Sequence, residues 1–159
     1  MIRTIDKTLL DELSAEAQAA ERRRRNRNFH PHDDYPANRL LNAIEPGSYV
    51  MPHRHAEPTK DETIIVLRGC LGMVVFDDAG EVVQASRLGP AESALGVDIA
   101  HGTWHSVFAL VSGTVFFEAK AGPYRPLTEA EKAPWAPVEG SVQAASYLAQ
   151  LMEQFAAAS

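Results

Sequence analysis

Between Gly47 and Gly69 the chain reads GSYVMPHRHAEPTKDETIIVLRG, in which two histidines and a carboxylate stand among residues that favour strands. His53 and His55 are two residues apart, so in an extended strand both imidazoles share one face and Arg54 points to the other. Glu62 opens the β-branched run Glu62-Thr-Ile-Ile-Val-Leu-Arg68, a neighbouring strand that could carry its carboxylate back over the histidines. Glu57 is the nearby substitute. A fourth candidate lies downstream in Ile99-Ala-His-Gly-Thr-Trp-His105, where Gly102 permits a tight turn and His105 leads into an apolar run. Taken singly, each histidine is better read as one satisfied by hydrogen bonds. In combination, His53, His55, Glu62 and His105 supply borderline ligands for one divalent transition metal, iron or zinc first and nickel or manganese next. Four protein ligands leave positions open for water or substrate if the ion is octahedral.

These residues sit in a pattern that resembles the cupins, small β-barrels marked by two separated motifs. The first runs Gly, five residues, His-x-His, three or four residues, Glu, six residues, Gly. Gly47, His53, His55, Glu62 and Gly69 match it, with six residues between His55 and Glu62 and so a lengthened turn. The second, Pro-x-Gly-x-x-His, often ending in Asn, is matched by Ala100-His-Gly102-Thr-Trp-His105, with Ala100 in place of Pro and Ala109 in place of Asn. The chain is also similar to the WbuC-type cupin fold metalloproteins. That resemblance is carried by Arg39-Leu-Leu-Asn-Ala-Ile-Glu-Pro-Gly-Ser-Tyr49, Pro52-His-Arg-His55, Gly102-Thr-Trp-His105, Glu118-Ala-Lys-Ala-Gly-Pro-Tyr124 and Ala133-Pro-Trp-Ala-Pro-Val-Glu-Gly140. It implies a bound metal and a setting in bacterial surface-polysaccharide biosynthesis, but brings no established reaction.

The elements that must position these residues follow from pattern. A chain of 159 residues, 45% hydrophobic and 23% charged, fits one globular domain with a sizeable core. A net charge of −6 argues against a nucleic-acid partner, and no run is long and apolar enough for a membrane span or signal peptide. With Cys70 as the only cysteine no internal disulfide forms, and the cytoplasm is the expected location. From Asp6 to about Arg25 helix formers place Leu9, Leu10, Leu13 and Ala17 on one face, and Glu21-Arg-Arg-Arg-Arg25 reads as a solvated helix end rather than a phosphate-binding or partner patch. Residues 26–36 read as a turn-rich connector. His30 and His32 share a ligand-pair spacing but are expected to be loop histidines, with His30 able to line a pocket at the barrel mouth.

Strands are expected at 40–44, 48–51, 62–68, 71–76, 82–87, 93–97, 106–111 and 114–119, enough for an all-β, jelly-roll-like double-sheet barrel with flanking helices. Thr128-Glu-Ala-Glu131 looks like a capping box within a strap across the barrel. A second helix over 141–157 carries Val142, Ala145, Leu148, Leu151, Met152 and Phe155 on one side, to be buried on its own barrel or in a homodimer. The expected organisation is 1–38 helix and connector, 39–122 barrel, and 123–159 strap and helix, forming one globular unit.

Tyr49, Trp104, Lys120, Tyr124 and His30 are the candidates for lining the cavity, with Lys60 and Arg68 as further donors. Alternation puts Lys120 on the face of Glu118. The favoured reading is a metal-binding small cupin, an enzyme acting on a small polar or carbohydrate-related ligand, with neither nucleic acid nor membrane as partner. No residue stands out as a general base, which leaves a non-catalytic ligand-binding or sensing cupin with a structural metal as the alternative. An iron-dependent dioxygenase is a further one, and a metal-free assembly partner the weakest. The roles of His30, His32 and His101 stay open.

Overall fold

Period-two alternation of apolar residues organises most of the chain between Arg24 and Ala121. The computed structural model describes residues 1–156, so the predicted helix end at Ala157 lies outside the described residues. The strands are β1 (Arg24–Asn28), β2 (Ala37–Ile44), β3 (Glu62–Arg68), β4 (Leu71–Phe76), β5 (Val82–Leu88), β6 (Gly96–Ile99), β7 (Trp104–Ala109) and β8 (Thr114–Ala121). They form a five-stranded sheet in the order β1-β2-β8-β3-β6, facing a three-stranded sheet in the order β5-β4-β7, with every pairing antiparallel. This is the double-sheet barrel of a cupin.

Alternation sends one set of side chains between the sheets and the other outward. Ile44, Ile64, Val66, Leu71, Met73, Leu88 and Phe116 fill the interior. Helix α1 (Lys7–Ala19), capped by the Asp6 carboxylate accepting from Leu9 N at 3.0 Å, lays Leu10, Leu13 and Ala17 over Leu41, Ala43 and Val115 on the back of the larger sheet. Helix α2 (Ala144–Glu153) packs Ala144, Leu148 and Leu151 against Val74, Phe76, Trp104 and Phe108 on the back of the smaller one. Leu148, Leu151, Met152 and Phe155 of the predicted face pack on the chain's own barrel, whereas Val142 and Ala145 are exposed and the helix begins at Ala144, not 141. No helix among the described residues is long and apolar enough to cross a membrane.

Several boundaries differ from expectation. Helix α1 stops at Ala19 and not near Arg25, because beyond its cap Ala20 the positions that would continue the buried face are the charged Glu21 and Arg24. The chain turns through Arg23, whose N–H donates to Ala20 O at 2.9 Å, and Arg24–Asn28 enters the large sheet as β1. The stretch 48–51 is extended but joins no ladder. Its polar groups are met by side chains instead: Tyr49 O accepts from Arg24, Val50 O from the Ser106 hydroxyl, and Met51 O from His53. Strands β6 and β7 lie a few residues away from the predicted spans 93–97 and 106–111. The turn at Arg68-Gly69 carries the chain from β3 in the larger sheet to β4 in the smaller one, and a side chain at Gly69 is barred twice, by its φ of +81° and by Thr114 Cα at 2.7 Å from where a Cβ would sit.

Candidate metal centre

His53 and His105 come together through the backbone. Each donates its N–H to the other's carbonyl, at 3.0 and 2.9 Å, forming an isolated antiparallel bridge that joins the segment after β2 to β7. The two rings lie 4.5 Å apart between centroids, and His55 stands 5.3 Å from His53 and 6.0 Å from His105. One nitrogen from each of the three rings can be chosen so that all lie within 4.8 Å of one another, a set that could hold a metal ion.

Hydrogen bonding fixes how these rings are presented. His53 Nδ1 is 3.0 Å from Met51 O and His105 Nδ1 is 2.9 Å from Thr103 O. A carbonyl only accepts, so each ring carries its proton on Nδ1 and keeps the Nε2 lone pair free. Burial, with His105 alongside, pushes His53 down to about 3, and burial also lowers His105, so both rings are neutral at physiological pH.

Glu62, the first residue of β3, closes the cluster. Its Oε2 is 2.9 Å from His55 Nε2 and 3.7 Å from His105 Nε2. Atoms held about 2.1 Å from one ion are separated by about 3.0 Å at a right angle and about 3.4 Å at the tetrahedral angle, so the 2.9 Å spacing suits a shared ion, whereas the 3.7 Å one is wider and Glu62 stands beside the three-histidine set, not within it. Burial alone would raise the Glu62 carboxyl, yet the hydrogen bond with His55 and the Lys120 charge hold it well below the usual range. The lengthened spacer from His55 is taken up by a turn at Glu57, whose carbonyl accepts from Lys60 N at 3.0 Å. Glu57 itself is exposed and accepts from the Thr59 hydroxyl.

Across the ladder Glu62 faces Lys120, whose Nζ is 2.7 Å from Glu118. Asn42 Nδ2 donates to the other side of Glu118 at 2.9 Å. Burial, reinforced by the Glu62 charge, raises Glu118, whereas Lys120 stays charged because its two carboxylates outweigh the cost of burial. Of the two carboxyls, Glu118 is therefore the one that more readily holds a proton. Glu62, Glu118 and Lys120 together carry a buried net charge of about −1 when both acids are ionised, an environment that favours a cation.

The cluster forms the wall of a cavity of about 500 Å³, lined by His53, His105, Glu62, Glu118, Lys120 and Asn42, with Arg22, Arg24 and Arg25 also contributing. Arg22 and Arg24 both bind the Glu139 carboxylate, at 2.7 and 2.8 Å, so the arginine run read as a helix end instead ties the strap to β1.

Other sequence candidates fall elsewhere. Tyr49 and Trp104 belong to the layer under α2 and not to the cavity. The Tyr49 hydroxyl donates to Pro137 O at 2.8 Å, and Trp104 Nε1 to Asp78 at 3.1 Å beneath the Arg54 guanidinium. The reason is alternation: Trp104 and His105 are adjacent on β7, so they face opposite sides. His101 is exposed and paired with Asp61, and His32 is exposed with its ring edge against Tyr35. Lys60 donates to Ala121 O and Pro123 O, and Arg68 holds α1 through Leu10 O and Asp11. His30 and Tyr124 line a second cavity on the far side of Lys120. The sequence reading passed over Asn26, Asn28, Asn38 and Asn42, although polar residues two apart in a strand were the available signal.

Comparison with known proteins agrees with a cupin. Among solved structures, KdgF from Halomonas sp. superposes with a TM-score of 0.50 at 18% identity over 64% of this chain and 82% of its own. A conserved protein of unknown function from Streptococcus pyogenes, SPY1581, gives 0.53 at 11% identity over 79% of this chain and 91% of its own. A mutant of Bacillus subtilis oxalate decarboxylase OxdC gives 0.46 at 19% identity, over 57% of this chain and 22% of its own. At these identities the likeness is one of fold. Residues 5–88 match a domain of unknown function, DUF6016, and the chain belongs to that family. The sequence has no significant match among curated proteins.

Proposed function

We propose that this protein is a metal-dependent enzyme acting on a small polar, carbohydrate-related molecule, with one divalent ion, iron or zinc, held by His53, His55, Glu62 and His105. The carrying observation is the convergence of three imidazoles beside a cavity that His53, His105 and the buried Glu62 line, two of the rings tied by Nδ1 to backbone carbonyls so that Nε2 is free. A bound ion would supply Lewis acidity.

The chain's own groups do the rest. Lys120 orients the Glu62 carboxylate, and Glu118, held toward its protonated form, is positioned to give or take a proton at its carboxyl oxygen. Such a group in the cavity wall favours an enzyme over a purely binding cupin. The WbuC-type resemblance supports a carbohydrate-related substrate and a place in surface-polysaccharide biosynthesis.

Elemental analysis of protein purified without added metal tests the first half of this reading. About one ion per chain is expected, lost in His53→Ala and His105→Ala. Turnover screens with oxygen uptake recorded test the second half. A wild-type centre that stays vacant under metal-replete conditions, or turnover that survives complete chelation, would overturn the reading.

A further inference from the structure

The second cavity, of about 370 Å³, lies beside the first and shares Asn26, Glu118 and Lys120 with it. Resting on the reading of the first cavity as the reaction site, we infer that the second one is a subsite for the hydroxylated end of the same substrate, a sugar or sugar acid that spans both.

Strand register builds this subsite. Asn26 and Asn28 lie two apart on β1, opposite Asn42 and Leu40 of β2, and Asn38 and Leu40 lie opposite Lys120 and Glu118 of β8. One face of the large sheet therefore carries a shelf of amides that begins at the carboxylate–lysine cluster and runs to its β1 edge. Asn38 is the telling member. It is 2% exposed and lines the cavity, and its Oδ1 has no hydrogen-bond partner in the protein. A buried amide oxygen left unpaired is unfavourable, and a donor from a ligand relieves that.

The lining chemistry selects the ligand. Amides both donate and accept, as hydroxyl groups do, and Glu118 and Asp33 add acceptors while Lys120 adds a donor. With a single ammonium, already shared between two carboxylates, the subsite lacks the cationic cluster that a phosphate requires. Tyr124, 48% exposed at the rim, offers a ring face and a hydroxyl. The walls are also fixed: Tyr124 N donates to Asp33 O at 2.7 Å, and Arg39 N to His30 Nδ1 at 3.2 Å.

The test is saturation-transfer NMR on the full-length, metal-replete protein, with D-glucose, D-galactose, D-glucuronate and D-galacturonate as probes. At least one should bind, with affinity reduced threefold or more by Asn28→Ala and lost in Asn38→Leu, while metal content stays at the wild-type level. Asn28 is exposed on β1, so its truncation leaves the barrel intact and keeps the test valid should Asn38→Leu misfold. Binding of none of the four, or binding unchanged in Asn28→Ala, overturns the subsite. Elemental analysis separates the two proposals: metal retained without shelf-dependent binding sinks the subsite alone. Shelf-dependent binding by a wild-type protein that takes up no ion sinks the metal reading alone.

Discussion

Glu62 and Lys120 are direct partners across the β3–β8 ladder, and the same ammonium reaches Glu118, so one cation serves two buried carboxylates. Replacing Lys120 with Met leaves two acids facing each other without compensation. The metal-free variant should lose about 3–5 kcal/mol of stability, the range for breaking a buried charge pair. Added zinc should stabilise it more than it stabilises the wild type, because the ion supplies the missing positive charge. Denaturant titration with and without metal measures both, and a variant as stable as wild type in chelator would contradict the shared-ammonium picture.

Histidines and glutamates in this chain sort sharply by position. His105→Ala should abolish metal retention and Glu62→Gln should weaken it at least tenfold. His101→Ala and Glu57→Gln, which alter exposed groups away from the cluster, should leave it unchanged. Competition against a chromophoric chelator gives all four affinities, and equal losses at Glu57 and Glu62 would reassign the carboxylate.

Leu13 is fully buried between α1 and the back of the large sheet. Leu13→Ala should therefore cost about 2–5 kcal/mol through lost burial and the cavity left behind, with metal content unaffected. An effect below about 1 kcal/mol in chemical denaturation would mean that α1 is not docked as described.

The strap carries a pH-dependent clasp. Glu131 accepts from Ala56 N at 3.0 Å and from Thr128 N and Oγ1 at 2.9 Å, and these bonds hold its carboxyl down at about 2 against an ordinary 4.5. A carboxyl depressed in the folded state contributes stability that is present above the unfolded value and is lost as pH falls toward the folded one. The melting-temperature gap between wild type and Glu131→Gln should be open at pH 7 and narrow steadily below about pH 4.5. Its size should be modest, since the group faces solvent. A gap that widens with acid would reverse the assignment.

Much of this is legible in the sequence, and each departure has its own physical reason. Strands β3 and β4 fall on the residues expected, because Glu62-Thr-Ile-Ile-Val-Leu-Arg68 and Leu71-Gly-Met-Val-Val-Phe76 combine β-branched content with a glycine turn between them, which passes the chain from one sheet to the other. The cluster was legible from spacing, since His-x-His and a carboxylate at the head of a strand constrain geometry even at long sequence separation. Strand β1 was not, because Arg24-Arg-Asn-Arg-Asn28 has no apolar alternation. It faces a polar cavity on one side, where Arg24, Asn26 and Asn28 replace the hydrophobic residues that normally announce a strand. Residues 48–51 misled in the opposite sense: they are buried or partly buried, but side chains satisfy the carbonyls of Tyr49, Val50 and Met51, and composition cannot reveal that substitution. Trp104 could have been assigned from its position alone, since a strand neighbour of an inward histidine must point outward.

The two arms of the centre differ in how they tolerate changes of length. One extra residue between Gly102 and His105 would invert β7, turning the indole toward the cavity and the imidazole under α2, and so erase the candidate centre at a stroke. On the other arm, the turn at Glu57–Lys60 is exposed for most of its length and already holds more residues than the spacing of its motif calls for. Among natural variants of this chain, insertions and deletions should therefore collect in that turn and be missing from the stretch before His105.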